Sequence, residues 1–172
     1  YILFGAHELV CDPPKTYIVY QLEQTDVEHS QISPEYLHIL NRATYIWDYS
    51  QENIKYFMCN TLLTRIIQYV PIFYSPVLEK CSVKKEKDID VLFYGSHCTR
   101  REHIYNLLQN TSLRVQFYWN SLWGNERDDL ISRSKVVLNL HYYENAILET
   151  PRITYLLANR VAVVSEYGRD PE

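Results

Sequence analysis

The residues able to do chemistry cluster directly after short apolar runs. The clearest cluster follows the run 91–94, where Gly95 and Ser96 precede Arg100 and Arg101 at the start of a helical pattern. A glycine at a strand end lets backbone N–H groups approach a phosphate, and guanidinium groups add planar donors. The cluster predicts a diphosphate cradle. Because it is neither a Walker loop nor a G-x-G-x-x-G fingerprint, a tight turn with solvated arginines stays an alternative.

A second polar cluster follows the apolar run 136–140. Glu149 and Arg152 lie three residues apart at the start of another helical pattern, behind a group of polar and aromatic residues. A carboxylate accepts hydrogen bonds from sugar or ribose hydroxyls, and an arginine neutralises a diphosphate leaving group. A structural ion pair between the two is the alternative. The remaining candidates of this cluster are His141, Tyr142, Tyr143 and Glu144.

A third cluster, Tyr118, Trp119 and Asn120, closes the apolar run 113–119 and continues to Trp123. Exposed aromatic rings beside a strand end stack on a nucleobase, and hydrophobic packing is the alternative. Each of the three clusters therefore predicts part of one ligand site, with phosphate, sugar and base contacts coming from different strand ends.

The first half of the chain offers candidates for a general base. His7 is the first choice, because a histidine removes a proton from a hydroxyl group near neutral pH. Glu8, Glu23 and Asp48 are the reserves, since each also follows a short apolar run. A structural or solvent-exposed histidine is the alternative for His7.

These clusters need a scaffold, and the apolar runs indicate which one. Runs rich in Val, Ile, Tyr and Phe are typical of strands, and they occur at 1–4, 17–22, 45–47, 65–73, 91–94, 113–119, 136–140 and 161–164. Helical patterns lie between several of them, at 34–43, 50–59, 100–108, 125–134 and 151–158. Alternation of this kind predicts an α/β fold with parallel sheets.

The rhythm breaks at residues 73–88, which carry Pro76 and the charge run 84–88. We therefore expect a partial first lobe over 1–72, a linker over 73–88 and a ligand-binding lobe over 89–172. Ligands of open parallel sheets bind at the carboxyl ends of the strands. A cleft between the two lobes is the expected site.

Composition excludes several classes of protein. The 172 residues carry a net charge of −4 with both signs interspersed, whereas nucleic-acid-binding surfaces show a basic patch or stripe. No run approaches the roughly 20 apolar residues that span a bilayer. The four cysteines have no zinc spacing and favour reduced thiols, so we expect a cytoplasmic protein without a metal site.

The second half of the chain resembles the donor lobe of group-1-like GT-B glycosyltransferases. The resemblance is carried by the segments 91–96, 137–143 and 163–166, together with Arg100, Arg101, Glu149 and Arg152. The segments 46–50 and 70–76 look like the end of the acceptor lobe and its connection. The resemblance implies two Rossmann-type lobes, the first truncated or compact.

The resemblance also implies an activity, which is metal-independent transfer of a sugar from a nucleotide diphosphate sugar to a glycan hydroxyl, with no cofactor. UDP-sugars are favoured. Gly95 and Ser96 would lie near the diphosphate, Arg100 or Arg152 would balance its charge, and Glu149 would hold the ribose or sugar.

Two positions depart from the family pattern, which has two glutamates eight residues apart. Eight residues beyond Glu144 lies Arg152, and Tyr155 stands where an acid is usual. Retention or inversion therefore stays open. The tyrosine-rich composition is similar to the middle domain of multidomain glycosyltransferases of large algal viruses, which implies a UDP-rhamnose donor, further domains in a larger polypeptide and a host cytoplasm.

Two other classes compete with a transferase. A non-catalytic module of the same architecture would bind a nucleotide or glycan without transferring a sugar. A sugar epimerase is disfavoured, because such enzymes carry the glycine-rich dinucleotide loop that this sequence lacks.

Overall fold

The computed structural model describes residues 1–25, 32–60, 63–82 and 86–170. The chain forms two compact units, each with its own four-stranded parallel sheet. The first unit comprises Tyr1–Ile72, Asn145–Leu148 and Gly168–Glu172, and the second comprises Phe73–Glu144 and Glu149–Tyr167. The predicted α/β class with parallel sheets is confirmed.

The sheet of the first unit has its strands in chain order. They are β1 (Ile2–Phe4), β2 (Ile18–Gln21), β3 (Tyr45–Asp48) and β4 (Ile67–Tyr69). The two helices are α1 (Pro34–Arg42) and α2 (Gln51–Asn60), and a 3-10 turn spans Ala6–Glu8. Helix α1 begins where Ser33 Oγ accepts a hydrogen bond from the Tyr36 N–H at 3.1 Å, with Pro34 in its first turn.

The core of the first unit lies on one face of this sheet. Val19 and Ile46 are aligned neighbours in the sheet, and they pack with Leu40 of α1 and Phe57 of α2. Ala6, from the connection between β1 and β2, joins the same cluster. All three connections therefore cover the same face, as right-handed crossovers between strands in sequential order require.

The sheet of the second unit has the order β6-β5-β7-β8. Its strands are β5 (Ile89–Gly95), β6 (Val115–Trp119), β7 (Ser134–Asn139) and β8 (Ala162–Ser165), and its helices are α3 (Thr99–Gln109), α4 (Gly124–Arg133) and α5 (Thr150–Ala158). The chain steps from β5 to β6 on one side and then returns to place β7 on the other. The strand order thus reverses between β5 and β7, which is a topological switch point.

This reversal gives the second unit a core on both faces of its sheet. Phe93 and Leu138 form one cluster, against which Ile104 of α3 packs. Leu92 and Val137 belong to the opposite cluster, together with residues of α4 and α5. A sheet covered on both faces is the usual arrangement for parallel strands.

Predicted and observed elements agree within two residues at every boundary but one. The run 65–73 forms a strand only at Ile67–Tyr69. This strand pairs on one side only, with β3, and Pro71 has no N–H to extend the ladder.

The expected linker 73–88 overlaps the beginning of the second unit. Asn159, at the end of α5, fixes this part of the chain with its side-chain amide. Its Oδ1 accepts from the N–H groups of Lys80 at 2.8 Å and Cys81 at 2.7 Å, and its Nδ2 donates to the Leu78 carbonyl at 2.9 Å. Residues 83–85 of the expected linker lie outside the described residues.

Candidate functional site

A cavity of about 550 Å³ lies in the second unit, at the carboxyl ends of β5, β6 and β7. Eight of the predicted ligand-binding residues line it: Gly95, Ser96, Arg101, Asn120, Tyr142, Tyr143, Glu149 and Arg152. They come from the ends of three strands and from the starts of α3 and α5. The strand reversal between β5 and β7 places the cavity where open α/β sheets bind ligands.

Two guanidinium groups converge on the backbone of Gly95. A Cβ atom at this position would lie 3.3 Å from Arg101 Nη1 and 3.4 Å from Arg152 Nη2. Both distances are short for contacts of a Cβ atom. A larger residue would force both guanidiniums, and the Phe93 ring at 3.2 Å, to shift by a few tenths of an ångström. The pair creates a concentrated positive charge at the end of β5.

Arg101 is fixed by its surroundings. Its side chain is 3% exposed, and it donates to the Leu140 carbonyl from Nε at 3.0 Å and from Nη2 at 2.6 Å. A further bond runs from Nη1 to the Ser96 carbonyl at 2.8 Å. Burial lowers the pKa of Arg101, and the carboxylate of Glu149 opposes that effect. A guanidinium stays protonated in proteins, so Arg101 is a fixed cation.

Glu149 lies between the two arginines. Its Oε1 is 3.5 Å from Arg101 Nη2, and its Oε2 is 3.8 Å from Arg152 Nη1. Among the described residues, neither Glu149 Oε2 nor Arg152 Nη1 has a hydrogen-bond partner, although both atoms are buried. One carboxylate between two guanidiniums leaves a surplus positive charge. The arrangement suits an anion that also carries a hydrogen-bond donor such as a hydroxyl group.

Aromatic side chains form the mouth of the cavity. Trp123 is 75% exposed and Tyr142 is 43% exposed, and the rings of Tyr142 and Tyr143 are 4.9 Å apart at a steep angle. Large aromatic rings with this exposure offer a stacking surface for a planar ligand. Trp123 also precedes the first turn of α4, whose N–H groups have no capping side chain among the described residues.

Five predicted ligand-binding residues do not line the cavity. They are Arg100, Tyr118, Trp119, His141 and Glu144. Trp119 packs into an aromatic cluster, with ring centroids 5.6 Å from Phe93 and 5.4 Å from Phe117. Tyr118 packs against the core, and His141 is almost fully buried. Trp119 and Tyr118 are therefore in hydrophobic packing environments, which was the alternative to stacking on a nucleobase.

Arg100 forms a bidentate ion pair with Glu166 instead of lining the cavity. Glu166 also accepts a hydrogen bond from the His141 backbone N–H at 2.6 Å. Burial acts to raise the pKa of Glu166, but the bonds from Arg100 and His141 outweigh it and lower the pKa overall. Arg152, and not Arg100, is therefore the arginine available to the cavity together with Arg101.

Five further residues of the cavity wall were not chosen from the sequence, and one of them, Tyr94, lies within β5. Ser121, Leu122 and Trp123 belong to the third cluster but lie beyond its selected members, and Arg127 lies in the first turn of α4. Arg127 donates hydrogen bonds to Asp128 Oδ1, from Nε at 3.1 Å and from Nη2 at 2.9 Å. The position of Arg127, near the start of the helix that follows β6, is the signal that points to it.

Three of the four base candidates lie together in the first unit. His7 Nε2 is 3.8 Å from Glu23 Oε1 and 3.9 Å from Glu8 Oε1, at the carboxyl ends of β1 and β2. About a third of the His7 side chain is exposed. These three side chains therefore form one polar cluster at the carboxyl ends of the two strands.

Asp48 has a different environment. It is 0% exposed, and its Oδ1 accepts from the Ser50 N–H at 2.8 Å and from Asn53 Nδ2 at 3.2 Å. Burial raises the pKa of Asp48 to about 7. Because protein covers it on every side, Asp48 does not contact an acceptor in this conformation.

Comparison with known proteins yields relatives but no family. Three relatives are uncharacterized proteins of Acanthamoeba polyphaga mimivirus. The first is 32% identical over 132 residues, covering 74% of this chain and 17% of the relative. The second is 31% identical over 132 residues, covering 74% and 14%, and the third is 31% identical over 137 residues, covering 77% and 45%. The chain thus spans less than half the length of these relatives.

No family model and no solved structure matches the chain. Within the part of the chain that the structure describes, no helix is both long and apolar enough to cross a bilayer. The same residues contain no group of three or more His, Cys, Asp or Glu side chains placed to hold a metal ion.

Proposed function

We propose that the second unit binds a nucleotide diphosphate sugar and that the chain is part of a glycosyltransferase of the GT-B type. The observation that carries this proposal is the convergence of Arg101 and Arg152 on the backbone of Gly95, at the strand reversal of the sheet. A diphosphate is the ligand that two guanidiniums and a glycine-bordered strand end suit best.

The rest of the cavity fits the remaining parts of such a donor. Glu149 accepts hydrogen bonds from a ribose or sugar hydroxyl, and the exposed rings of Trp123 and Tyr142 stack on the base. The cavity volume of about 550 Å³ lies within the range of roughly 300–1,000 Å³ typical of small-molecule sites. UDP-sugars, including UDP-rhamnose, are the donors we favour.

Sugar transfer adds two chemical requirements to binding. The acceptor hydroxyl loses its proton as its oxygen bonds to the anomeric carbon, and the bond from that carbon to the diphosphate breaks. We assign the proton to His7, supported by Glu23 at 3.8 Å, and the neutralisation of the leaving diphosphate to Arg152.

Arg152→Ala tests the binding site. UDP binding, measured by isothermal titration calorimetry, should weaken by about 10- to 100-fold, because a charge-assisted contact to phosphate contributes roughly 1.5–3 kcal/mol. Arg160→Ala is the matched control, since Arg160 lies just past α5 with a side chain that is 72% exposed. Its UDP affinity should equal that of the wild type.

The outcome is decisive in either direction. Equal UDP affinity in the Arg152→Ala and Arg160→Ala proteins would contradict the proposed diphosphate site. Failure of UDP, GDP and TDP alike to bind the wild-type protein would exclude a nucleotide sugar as the ligand.

A further inference from the structure

The sheet of the first unit has one face that no described helix covers. We call it the open face, and its side chains alternate with those of the core along each strand. Its members are Ile2 and Phe4 of β1, Ile18 and Tyr20 of β2, Tyr45 and Trp47 of β3, and Gln68 of β4. Ile2 is 48%, Phe4 62% and Tyr45 51% exposed.

The strand order explains why this face is open. Strands in the order β1-β2-β3-β4 send every connection to the same face, and Ala6, α1 and α2 all pack on the core side. In the second unit the reversed order covers both faces. The connections between β1 and β4 therefore leave the open face uncovered, and any cover comes from outside these strands and their connections.

The chemistry of the open face calls for an apolar partner. It contains no charged side chain, and its strands read as nearly continuous apolar runs, which is the pattern of strands buried on both faces. Two of its polar side chains already donate hydrogen bonds within the first unit. The Tyr20 hydroxyl donates to the Val70 carbonyl at 2.6 Å, and the Trp47 indole N–H donates to Gln68 Oε1 at 3.1 Å.

The size of the open face favours a helix over a second copy of the chain. Four strands about 4.8 Å apart span roughly 14 Å, which a helix of about 10 residues covers along its length. A stable complex between two molecules buries roughly 1,200 Å² or more. Strands of three or four residues offer little of that area. A helix of the same polypeptide needs less area, because its docking does not cost the translational and rotational freedom of a second molecule.

We propose that the open face docks an amphipathic α-helix supplied by the same polypeptide from outside residues 1–172. The mimivirus relatives have length to supply such a segment, since the matched region is 17%, 14% and 45% of their chains. The docked surface of the helix is aliphatic and uncharged, and it packs against Phe4, Tyr20 and Trp47.

Photo-crosslinking in the complete polypeptide encoded by the gene tests the proposal. Benzoylphenylalanine replaces Tyr45, which lies on the open face at the amino end of β3, and the protein is irradiated, sized and digested for mass spectrometry. The expected product has the mass of a monomer and joins position 45 to a peptide outside residues 1–172. Benzoylphenylalanine in place of the exposed Met58 on α2 is the control and should give no such product.

Every other result overturns the proposal. A product with the mass of a dimer, joined within residues 1–172, identifies a second copy as the occupant. The absence of any crosslinked peptide shows that the face is open to solvent. A repeat with benzoylphenylalanine in place of Phe4 guards against a loss of folding caused by the change at Tyr45.

Discussion

At the scale of single residues, Asp48 combines complete burial with a titratable carboxyl group. Burial raises its pKa to about 7, whereas an aspartate in an unfolded chain has the ordinary value of 3.8. Between these values the folded protein holds a proton that the unfolded chain has released. Asp48 therefore makes the free energy of unfolding fall as the pH rises from about 4 to about 7, by roughly 4 kcal/mol at most.

Asp48→Asn should remove this dependence. The amide keeps an oxygen to accept from Ser50 and Asn53, and it does not ionise. We expect the variant to match the wild type near pH 4 and to be the more stable protein near pH 8, as measured by urea denaturation across that range. Asp12→Asn, at an exposed residue, is the control and should leave the pH profile unchanged. Parallel profiles for wild type and Asp48→Asn would refute the assignment.

Residue types alone predicted much of the cavity wall but not the partners of each side chain. Two arginines followed the cluster at Gly95, and the sequence offered no means to tell their roles apart. Arg101 donates twice to the Leu140 carbonyl, which follows β7, and Arg100 pairs with Glu166 beyond β8. These partners are distant in the chain, so only the fold separates the cation of the cavity from the cation of a structural ion pair.

At the scale of elements, the side chain of Asn159 joins α5 to the residues that open the second unit. Its amide group makes four hydrogen bonds, to Lys80, Cys81, Leu78 and the Tyr155 carbonyl, and it is nearly buried. Removing it leaves two backbone N–H groups without their acceptor, and an unsatisfied buried group costs about 1–3 kcal/mol.

Asn159→Ala should therefore destabilise the protein by about 2–4 kcal/mol in urea denaturation, because more than one buried group loses its partner. Limited proteolysis near Lys80 should also become faster. Asn110→Ala, at the exposed end of α3, is the matched control and should cost less than about 0.5 kcal/mol. Equal stability of the two variants would show that Asn159 does not hold this segment.

Helices and strands were predictable because their signals are local. Ser33 with Pro34 marks the start of α1, and Pro71 marks the end of β4. The role of Asn159 was not predictable, since an asparagine at a helix end reads as an ordinary cap. The contact with residues 78–81 depends on two segments that lie far apart in the sequence.

At the scale of the whole molecule, the proposed transfer reaction needs a base as well as a donor site, and His7 is the proposed base. His7→Gln should lower the rate of sugar transfer or of UDP-sugar hydrolysis by about 100-fold or more and leave UDP affinity unchanged. His38→Gln, on the exposed surface of α1, is the control for a histidine change in the same unit. Both activities are measured in EDTA, because the proposal places arginines where other enzymes hold a metal ion.

The result separates the two classes that the sequence left open. Full activity of the His7→Gln protein would remove His7 from the reaction. Binding of UDP-sugars without any transfer or hydrolysis by the wild type would favour the non-catalytic module.

Strand order was the property that sequence patterns could not supply. Both halves of the chain show the same alternation of apolar runs and helices, yet one sheet is sequential and the other is reversed. Periodicity specifies which residues face inward, and it carries no information on which strands become neighbours. The open face and the position of the cavity both follow from that order.

The composition of the first unit also bears on how the protein is made. Ile147, which is fully buried, exchanges hydrogen bonds with the Gln24 side chain, and the Leu148 N–H donates to Asp170 at 2.6 Å. During synthesis the four strands of this unit leave the ribosome long before residues 145–170 do. The nascent first unit therefore waits, incompletely assembled, until translation has passed Asp170, and the two units reach their final form at nearly the same time.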